Sequence, residues 1–441
     1  MDLRSLNFIK QLKFSFLFKV LSVAISFILV RYLLRYLDLN DYGLWSVIIS
    51  FLNWIVFFDL GIANGLKNKL SESLSENNIK EARIYISTGY ICLFSFSVFI
   101  YLIAWIISGL VNWQRVFNVY YHSNEYLRIL ILIILFFTLS NFTLSLINSI
   151  FNAIQRASLV VINQFLSQAF SLLVLIFLIQ FTVSDLHLLA IGYGTSMLFS
   201  STILTLWFFQ KESYLKPVFR YYNGKKLKPI ISLGLRFFLL QVTMLIILLS
   251  DRFILVQLTD VSEVGKYDIL YKYFSAIIIL HTLINAPLWS IYTEAYKKKD
   301  YKWIEKAMKN LSKLLLVYLI MLSTMVFFGE TVIKVWLSNE KLNFTLLNFA
   351  SMGLLTFFNI LHSILAYFTN GIGKTKVQLY TSLLGAGINI PLSIYFIEYL
   401  NLGLNGVLFA TTISLSLFCF TGPFQVKKEI RLLKQLVGTS Q

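Results

Sequence analysis

The chain has 441 residues, of which 57% are hydrophobic and only 13% are charged, and its mean hydropathy is +0.73. Soluble domains are about one quarter charged, so this composition excludes an ordinary soluble protein. The formal net charge of +17 would suggest nucleic-acid binding in a soluble protein. In a membrane protein, however, basic residues collect in the cytoplasmic loops as a topology signal, and we therefore expect no nucleic-acid partner.

Twelve apolar segments follow one another along the chain, and most are about twenty residues long, the length that spans the hydrocarbon core. The first is too long for a cleaved signal peptide, is interrupted by Lys19 and lacks a cleavage site. The sequence therefore predicts an all-α integral membrane protein with about twelve transmembrane helices, at residues 14–37, 42–65, 84–110, 127–151, 159–181, 186–209, 230–258, 265–292, 311–329, 342–368, 376–398 and 403–424.

Basic residues concentrate in alternate loops between these segments. The other set of loops carries only Arg35, Arg115, Arg128, Lys266, Lys334 and Lys341. Omitting or adding one helix would invert the alternation downstream, so the asymmetry supports both the helix count and two cytoplasmic termini. Since every loop is too short to fold as a domain, the function has to be performed within or at the edge of the helix bundle.

The two halves of the chain resemble each other. Arg31 and Arg252 precede similar acidic, glycine- and aromatic-containing turns, and residues 152–156 are echoed by residues 370–374. We therefore predict an N-lobe at 1–209, a cytoplasmic linker at 210–229, a C-lobe at 230–424 and a basic tail at 425–441. Two six-helix lobes are typical of rocking transporters, with the substrate site between the lobes.

Two segments of the first lobe, residues 41–45 and 58–69, resemble the Wzx-type O-antigen and capsule repeat-unit flippases of the multidrug/oligosaccharidyl-lipid/polysaccharide exporter superfamily. The motif residues are Asp41, Tyr42, Gly43, Asp59, Gly61, Asn64 and Gly65. The resemblance implies a bacterial inner-membrane protein that moves an undecaprenyl-diphosphate-linked oligosaccharide to the periplasmic leaflet. It also implies membrane lipids and the polysaccharide polymerase machinery as partners.

Five cations fall within the predicted helices, where an ionised side chain costs about 2.5–3.5 kcal/mol on insertion scales. We predict that they line a cationic cavity that binds the cargo diphosphate: Lys19, Arg31, Arg236, Arg252 and Lys272. Lys19 shares a helical stripe with Ser22 and Ser26, which favours a position facing the cavity. The alternatives are ion pairs of Lys19 with Asp59, of Arg252 with Asp251 and of Lys272 with Asp268, and snorkelling of Arg31 and Arg252 to the headgroups.

Three acids could couple transport to an ion gradient by binding and releasing a proton during the cycle: Asp59, Asp251 and Glu294. The alternative for each is that it neutralises a nearby cation. None of the histidines shows metal-ligand spacing. His281 and His362 lie in predicted helices and could line the cavity, but we interpret these two as hydrogen-bonded structural residues. Cys92 and Cys419 lie far apart in apolar segments, so we expect no metal site.

Residues 371–375 end like a phosphate-binding P-loop, but that motif requires a glycine where Phe368 stands. We therefore predict a tight turn, no ATPase activity and no cofactor. Two other classes compete with a flippase. A drug or metabolite antiporter would favour an acidic cavity, and a membrane glycan polymerase or ligase would carry a large periplasmic loop that this chain lacks. The sequence therefore predicts a transporter and not an enzyme.

Overall fold

The computed structural model describes residues 3–57, 62–154, 156–227, 242, 246–248, 250–285, 288–338 and 342–438, and within these ranges the chain is helical and has no strand. The prediction of an all-α membrane fold is confirmed. Ten of the described helices are long and apolar enough to cross a membrane. The other two predicted spans, 42–65 and 230–258, include residues outside the described ranges, so the count of twelve stays a prediction.

The chain divides into two compact units, and the first comprises Met1–Gln241. Its helices are α1 (Leu3–Tyr36), α2 (Leu39–Phe57), α3 (Ile62–Ser75), α4 (Ile79–Ser108), α5 (Trp113–Phe117), α6 (Asn124–Leu144), α7 (Leu146–Ala153), α8 (Ala157–Phe181) and α9 (Leu186–Lys211). The predicted span 42–65 is shared between α2 and α3, and the predicted span 127–151 is divided at Ser145 into α6 and α7.

Polar residues in the short connections determine where several of these helices begin. The side chains of Asn78, Ser123 and Asp185 accept hydrogen bonds from the first backbone N–H groups of α4, α6 and α9. Those N–H groups have no partner within the helix itself, and short oxygen-bearing side chains satisfy them best. The loop residues therefore fix the helix starts that hydropathy alone leaves uncertain.

The second unit comprises Val242–Gln441. It contains helical residues at 246–248 and 250–258, followed by α10 (Val261–Asn285), α11 (Leu288–Lys297), α12 (Tyr301–Leu337), α13 (Leu346–Gly371), α14 (Lys376–Glu398) and α15 (Leu404–Gly438). The predicted span 265–292 reaches across both α10 and α11. The last helix continues to Gly438, so most of the predicted basic tail at 425–441 is helical.

The echo between the two halves has a structural counterpart at two turns. The backbone N–H of Arg156 donates to the carbonyl of Phe151 at 2.8 Å, and that of Lys374 donates to Thr369 at 2.9 Å. Both bonds span five residues, and both follow the end of a helix, α7 in the first unit and α13 in the second. The two similar segments therefore share this hydrogen bond.

The residues that follow α9 pack against α4 of the same unit. Arg83 donates to the carbonyl of Lys216 at 2.8 Å, and Ser87 and Thr88 each accept a backbone N–H at 3.1 Å, from Val218 and Asn223 respectively. An ion pair between Lys226 and Glu81 completes the contact. The segment predicted as a linker is thus fastened along α4 at least as far as Lys226.

Candidate functional site

The second unit buries a carboxylate among neutral hydroxyl groups. Asp251 is fully buried, and its oxygens accept hydrogen bonds from Thr411 at 2.8 Å and from Tyr267 at 3.0 Å. Asn389 donates to Thr411 at 3.0 Å and accepts from Ser250 at 3.2 Å. We call these five residues, Ser250, Asp251, Tyr267, Asn389 and Thr411, the Asp251 cluster.

The Asp251 cluster joins the stretch 250–258 to α10, α14 and α15. In the part of the chain that the structure describes, the hydrogen-bond partners of Asp251 are two hydroxyl groups and no cation. A carboxylate with neighbouring amide and hydroxyl oxygens is a ligand set that suits a hard cation, and the same carboxylate can take up a proton. The cluster therefore offers the oxygen ligands that a small cation or a proton would need.

The neighbouring cation has a different partner. Arg252 approaches Asp268 of α10, with Nη2 2.6 Å and Nε 2.8 Å from the same carboxylate oxygen. The guanidinium also lies 5.0 Å from the ring centroid of Tyr267 and 5.6 Å from that of Tyr271. The alternative in which Asp251 pairs with Arg252 is therefore wrong. Arg252 binds Asp268, the residue that the sequence suggested as the ion-pair partner of half-buried Lys272.

In the first unit a polar seam joins α1 to α8. The Lys19 ammonium donates to the side-chain oxygen of Gln164 at 3.1 Å, and one turn further Ser22 donates to Gln168 at 2.5 Å. The predicted polar stripe of α1 thus packs against two glutamines spaced four residues apart. Ser26, the last member of the stripe, donates to the carbonyl of Val23 within α1.

The first motif of the family resemblance has a structural explanation. The Asp38 carboxylate accepts the backbone N–H of Asp41 at the start of α2, at 2.8 Å. The Asp41 carboxylate in turn lies 2.8 Å from Nε2 of His122, in the connection before α6. Tyr42 is buried, and Trp45 packs edge-to-face against Tyr193 of α9. These residues fasten the start of α2 to its neighbours.

The remaining candidates are placed as follows. Arg31 is exposed on α1, and Gly65 is buried in α3. Arg236, Asp59 and Gly61 lie outside the described residues, and so do the side chains of Asn64 and Glu294. The cavity roles of Arg31 and Arg236 and the coupling roles of Asp59 and Glu294 stay predictions.

Polar contacts between helices were the part of each unit that the sequence did not reveal. Asn163 of α8 donates to Asn148 of α7 at 3.2 Å, and Ser201 of α9 donates to Asn141 of α6 at 2.9 Å. In the second unit buried His281 lies 3.2 Å from Ser363, and His362 packs edge-on against Phe418. Interhelical hydrogen bonds of this kind stabilise helix bundles in membranes, but their partners are distant in sequence.

Comparisons with known proteins identify the family. The model of the family described as "Polysaccharide biosynthesis protein" matches residues 9–290, more than half of the chain, and the MatE model matches residues 237–395. A Salmonella typhimurium protein described as "Putative O-antigen transporter" is 24% identical over 419 residues, covering 92% of this chain and 93% of the relative.

Solved structures agree at the level of the fold. An inward-facing multidrug resistance MATE family transporter of the MOP superfamily has a TM-score of 0.80 at 15% identity, with 95% of each chain covered. A Pyrococcus furiosus MOP superfamily transporter, described as having a binding pocket of reverse polarity that suggests a different function, has a TM-score of 0.63 at 16% identity over 96% of each chain.

These matches are to transporters, so the prediction that the chain is not an enzyme is confirmed, as is the resemblance to the Wzx-type flippases. The chain belongs to the polysaccharide biosynthesis protein family and is a multi-pass membrane transporter with the fold of MOP superfamily transporters.

Proposed function

We propose that this transporter flips an undecaprenyl-diphosphate-linked oligosaccharide repeat unit from the cytoplasmic to the periplasmic leaflet by alternating access. The observation that carries the proposal is the family match over residues 9–290, supported by the nearly full-length similarity to a protein described as an O-antigen transporter. Polymerase machinery in the same membrane would then assemble the delivered units.

Lys19 is the described cation best suited to bind the cargo. Its hydrogen-bond partner in the described ranges is the neutral amide of Gln164, so no described carboxylate competes with the cargo for the ammonium. A diphosphate is attracted more strongly by such a charge where the dielectric is low. Arg252 is a weaker candidate because Asp268 already neutralises it. Arg236, Arg31 and Lys272 remain candidates for the same site.

We assign the coupling ion to Asp251. A carboxylate that is buried among hydroxyl and amide groups can release a cation when its surroundings change during the transport cycle, and intramembrane acids commonly serve such relays. A proton and a sodium ion would both fit this chemistry, and imposing each gradient separately distinguishes them. Asp59 and Glu294 remain candidates for the same role.

A drug or metabolite antiporter is the competing proposal, because the MatE model matches residues 237–395. Similarity of fold does not identify the cargo. A cationic drug would need an acidic site, whereas Lys19 offers a positive charge that no described group neutralises. Drug resistance that depends on this protein, with surface glycan unaffected, would favour the antiporter.

A cellular experiment tests the proposal. The gene is deleted and replaced by wild type or by Lys19→Gln, Lys19→Arg or Lys80→Gln, and surface polysaccharide is quantified together with protein in the membrane. We expect deletion and Lys19→Gln to abolish the glycan, Lys19→Arg to retain part of it, and Lys80→Gln to behave as wild type, because Lys80 is exposed at the start of α4.

Two results would contradict different parts of the proposal. Normal surface glycan in the deletion strain would exclude the flippase function. Normal glycan in Lys19→Gln, with glycan lost on deletion, would exclude only the role of Lys19 in cargo binding.

A further inference from the structure

A cavity of about 720 Å³ opens at one end of the second unit, where the turn between α13 and α14 faces α15. The polar part of its lining includes Lys374, Thr375, Lys376, Gln425, Lys428 and Glu429. The charge asymmetry of the loops predicts that this end of the unit is cytoplasmic. The cavity includes the glycine-rich turn whose sequence resembles part of a P-loop.

The turn is held in place from two sides. The side chain of Gln425 donates to the carbonyl of Lys374 at 2.7 Å, and Thr293 of α11 donates to the carbonyl of Gly371 at 2.6 Å. Gly373 has a φ of +71°, a left-handed conformation that glycine adopts without strain. The backbone that carries Lys374 and Lys376 is therefore fixed against α15.

The cavity carries an excess of positive charge. Lys374, Lys376 and Lys428 are exposed, and no described acid forms an ion pair with any of them. The acid in the lining, Glu429, is buried and accepts a hydrogen bond from Tyr296 at 3.1 Å. Three cations and one carboxylate therefore line the space, which leaves an excess of positive charge there.

The shape and surroundings of the cavity indicate a lipid phosphate rather than a nucleotide. A nucleotide-binding P-loop needs a glycine at position 368, where a fully buried phenylalanine packs instead. Phe424 lines the same cavity and is 75% exposed, which suits a position beside acyl chains. Basic pockets between transmembrane helices on the cytoplasmic side bind anionic headgroups.

We infer that this cavity binds the phosphate headgroup of an anionic phospholipid of the cytoplasmic leaflet, with Lys374, Lys376 and Lys428 as its ligands. The site lies within the second unit and is distinct from the proposed roles of Lys19 and Asp251. The inferred ligand is a resident membrane lipid and not the transported glycan.

Photo-crosslinking of the purified full-length protein tests this site. The probe is phosphatidylglycerol with a photoreactive group near the headgroup, and labelled peptides are identified by mass spectrometry. We expect labelling at residues 373–377 and 421–429, with competition by unlabelled phosphatidylglycerol and not by phosphatidylcholine. Two results would overturn the assignment. One is that inorganic phosphate, at the same phosphate concentration, prevents labelling as well as phosphatidylglycerol does. The other is that undecaprenyl phosphate prevents labelling whereas unlabelled phosphatidylglycerol does not. These competition experiments need no variant.

A matched pair of triple variants separates the site from overall charge. Lys374→Gln/Lys376→Gln/Lys428→Gln should lower labelling at least about tenfold, since each basic residue near a membrane contributes about fivefold. Lys302→Gln/Lys306→Gln/Lys309→Gln removes the same charge from exposed positions of α12 and should leave labelling unchanged. Equal labelling in both triple variants would contradict a site at the cavity.

Discussion

Arg252 and Asp268 form an ion pair with a closest approach of 2.6 Å and side-chain exposures of 11% and 12%, although Asp251 is the residue next to Arg252 in the chain. The Asp268 carboxylate of α10 therefore neutralises the arginine, whereas the described hydrogen-bond donors to Asp251 are the hydroxyl groups of Tyr267 and Thr411. This division explains how two adjacent charged residues can differ in role: one is bound by a counter-ion, and the other can bind a cation.

Asp268→Asn should strongly destabilise the protein, because it leaves the Arg252 guanidinium without a counter-ion. Breaking a buried ion pair by removing one partner costs about 3–5 kcal/mol. Thermal unfolding of the purified protein in detergent measures the change. The double variant Arg252→Met/Asp268→Leu should recover part of the loss because no unpaired charge remains. An Asp268→Asn protein that unfolds at the wild-type temperature would show that the pair contributes little.

Asp251→Asn should abolish gradient-driven transport while changing thermal stability little. The asparagine oxygen can still accept a hydrogen bond from Thr411 or Tyr267, but the amide cannot bind and release a proton and attracts a sodium ion less. Transport in proteoliposomes, measured with a proton gradient and separately with a sodium gradient, checks this. If Asp251→Asn retains the full response to both gradients, the coupling site lies elsewhere.

Two substitutions within α14 should have opposite effects on the unfolding temperature: Gly385→Ala should lower it, and Gly387→Ala should raise it. A methyl group on Gly385 would lie 2.7 Å from the backbone carbonyl oxygen of Ser414 in α15, whereas none of the surroundings of Gly387 comes within 4 Å. Overpacking of this kind costs about 1–3 kcal/mol, while alanine in an unobstructed helix position gains up to about 1 kcal/mol over glycine. Unfolding temperatures measured side by side test the contrast, and equal shifts would argue against the close approach of α14 and α15.

Glu81→Gln should loosen the segment that follows α9. The hydrogen bond to the Glu81 carboxylate raises the pKa of Lys226 above its ordinary value of 10.5. The ion pair therefore stabilises the docked segment fully at pH values below 10.5. This stabilisation is lost as the pH rises through the raised pKa of Lys226. At neutral pH we expect trypsin to cleave after Arg220 or Lys225 about two- to fivefold faster in Glu81→Gln, the range for an exposed ion pair. Unchanged cleavage would mean that the hydrogen bonds to α4 suffice.

The positions of the membrane spans could be predicted because hydrophobicity is a local property of the chain. The break in the helix at Ser145 could not be predicted, because no proline or glycine marks it. Residues 124–153 form two helices where the sequence predicted one. The extension of α12 beyond the predicted span 311–329 was also missed, because charged residues such as Lys306 and Glu330 interrupt the hydropathy on either side of that span.

Side-chain partners were the least predictable part of the candidate site. Spacing along one helix suggested that Lys272 would pair with Asp268, yet Arg252 from another helix binds that carboxylate. Likewise, the serine stripe beside Lys19 indicated a polar face but could not identify Gln164 and Gln168 as its partners. These contacts depend on how helices pack against each other, and a single sequence does not contain that information.

Translocation of the proposed cargo by purified protein is the most direct test of the account. Liposomes containing the protein are loaded with labelled undecaprenyl-diphosphate-linked oligosaccharide in one leaflet, and an added glycosidase reports its arrival in the other. We predict gradient-dependent arrival with wild type and only the rate of empty liposomes with Lys19→Gln. Arrival no faster with wild type than in empty liposomes, under proton and sodium gradients of either direction, would contradict the proposed function.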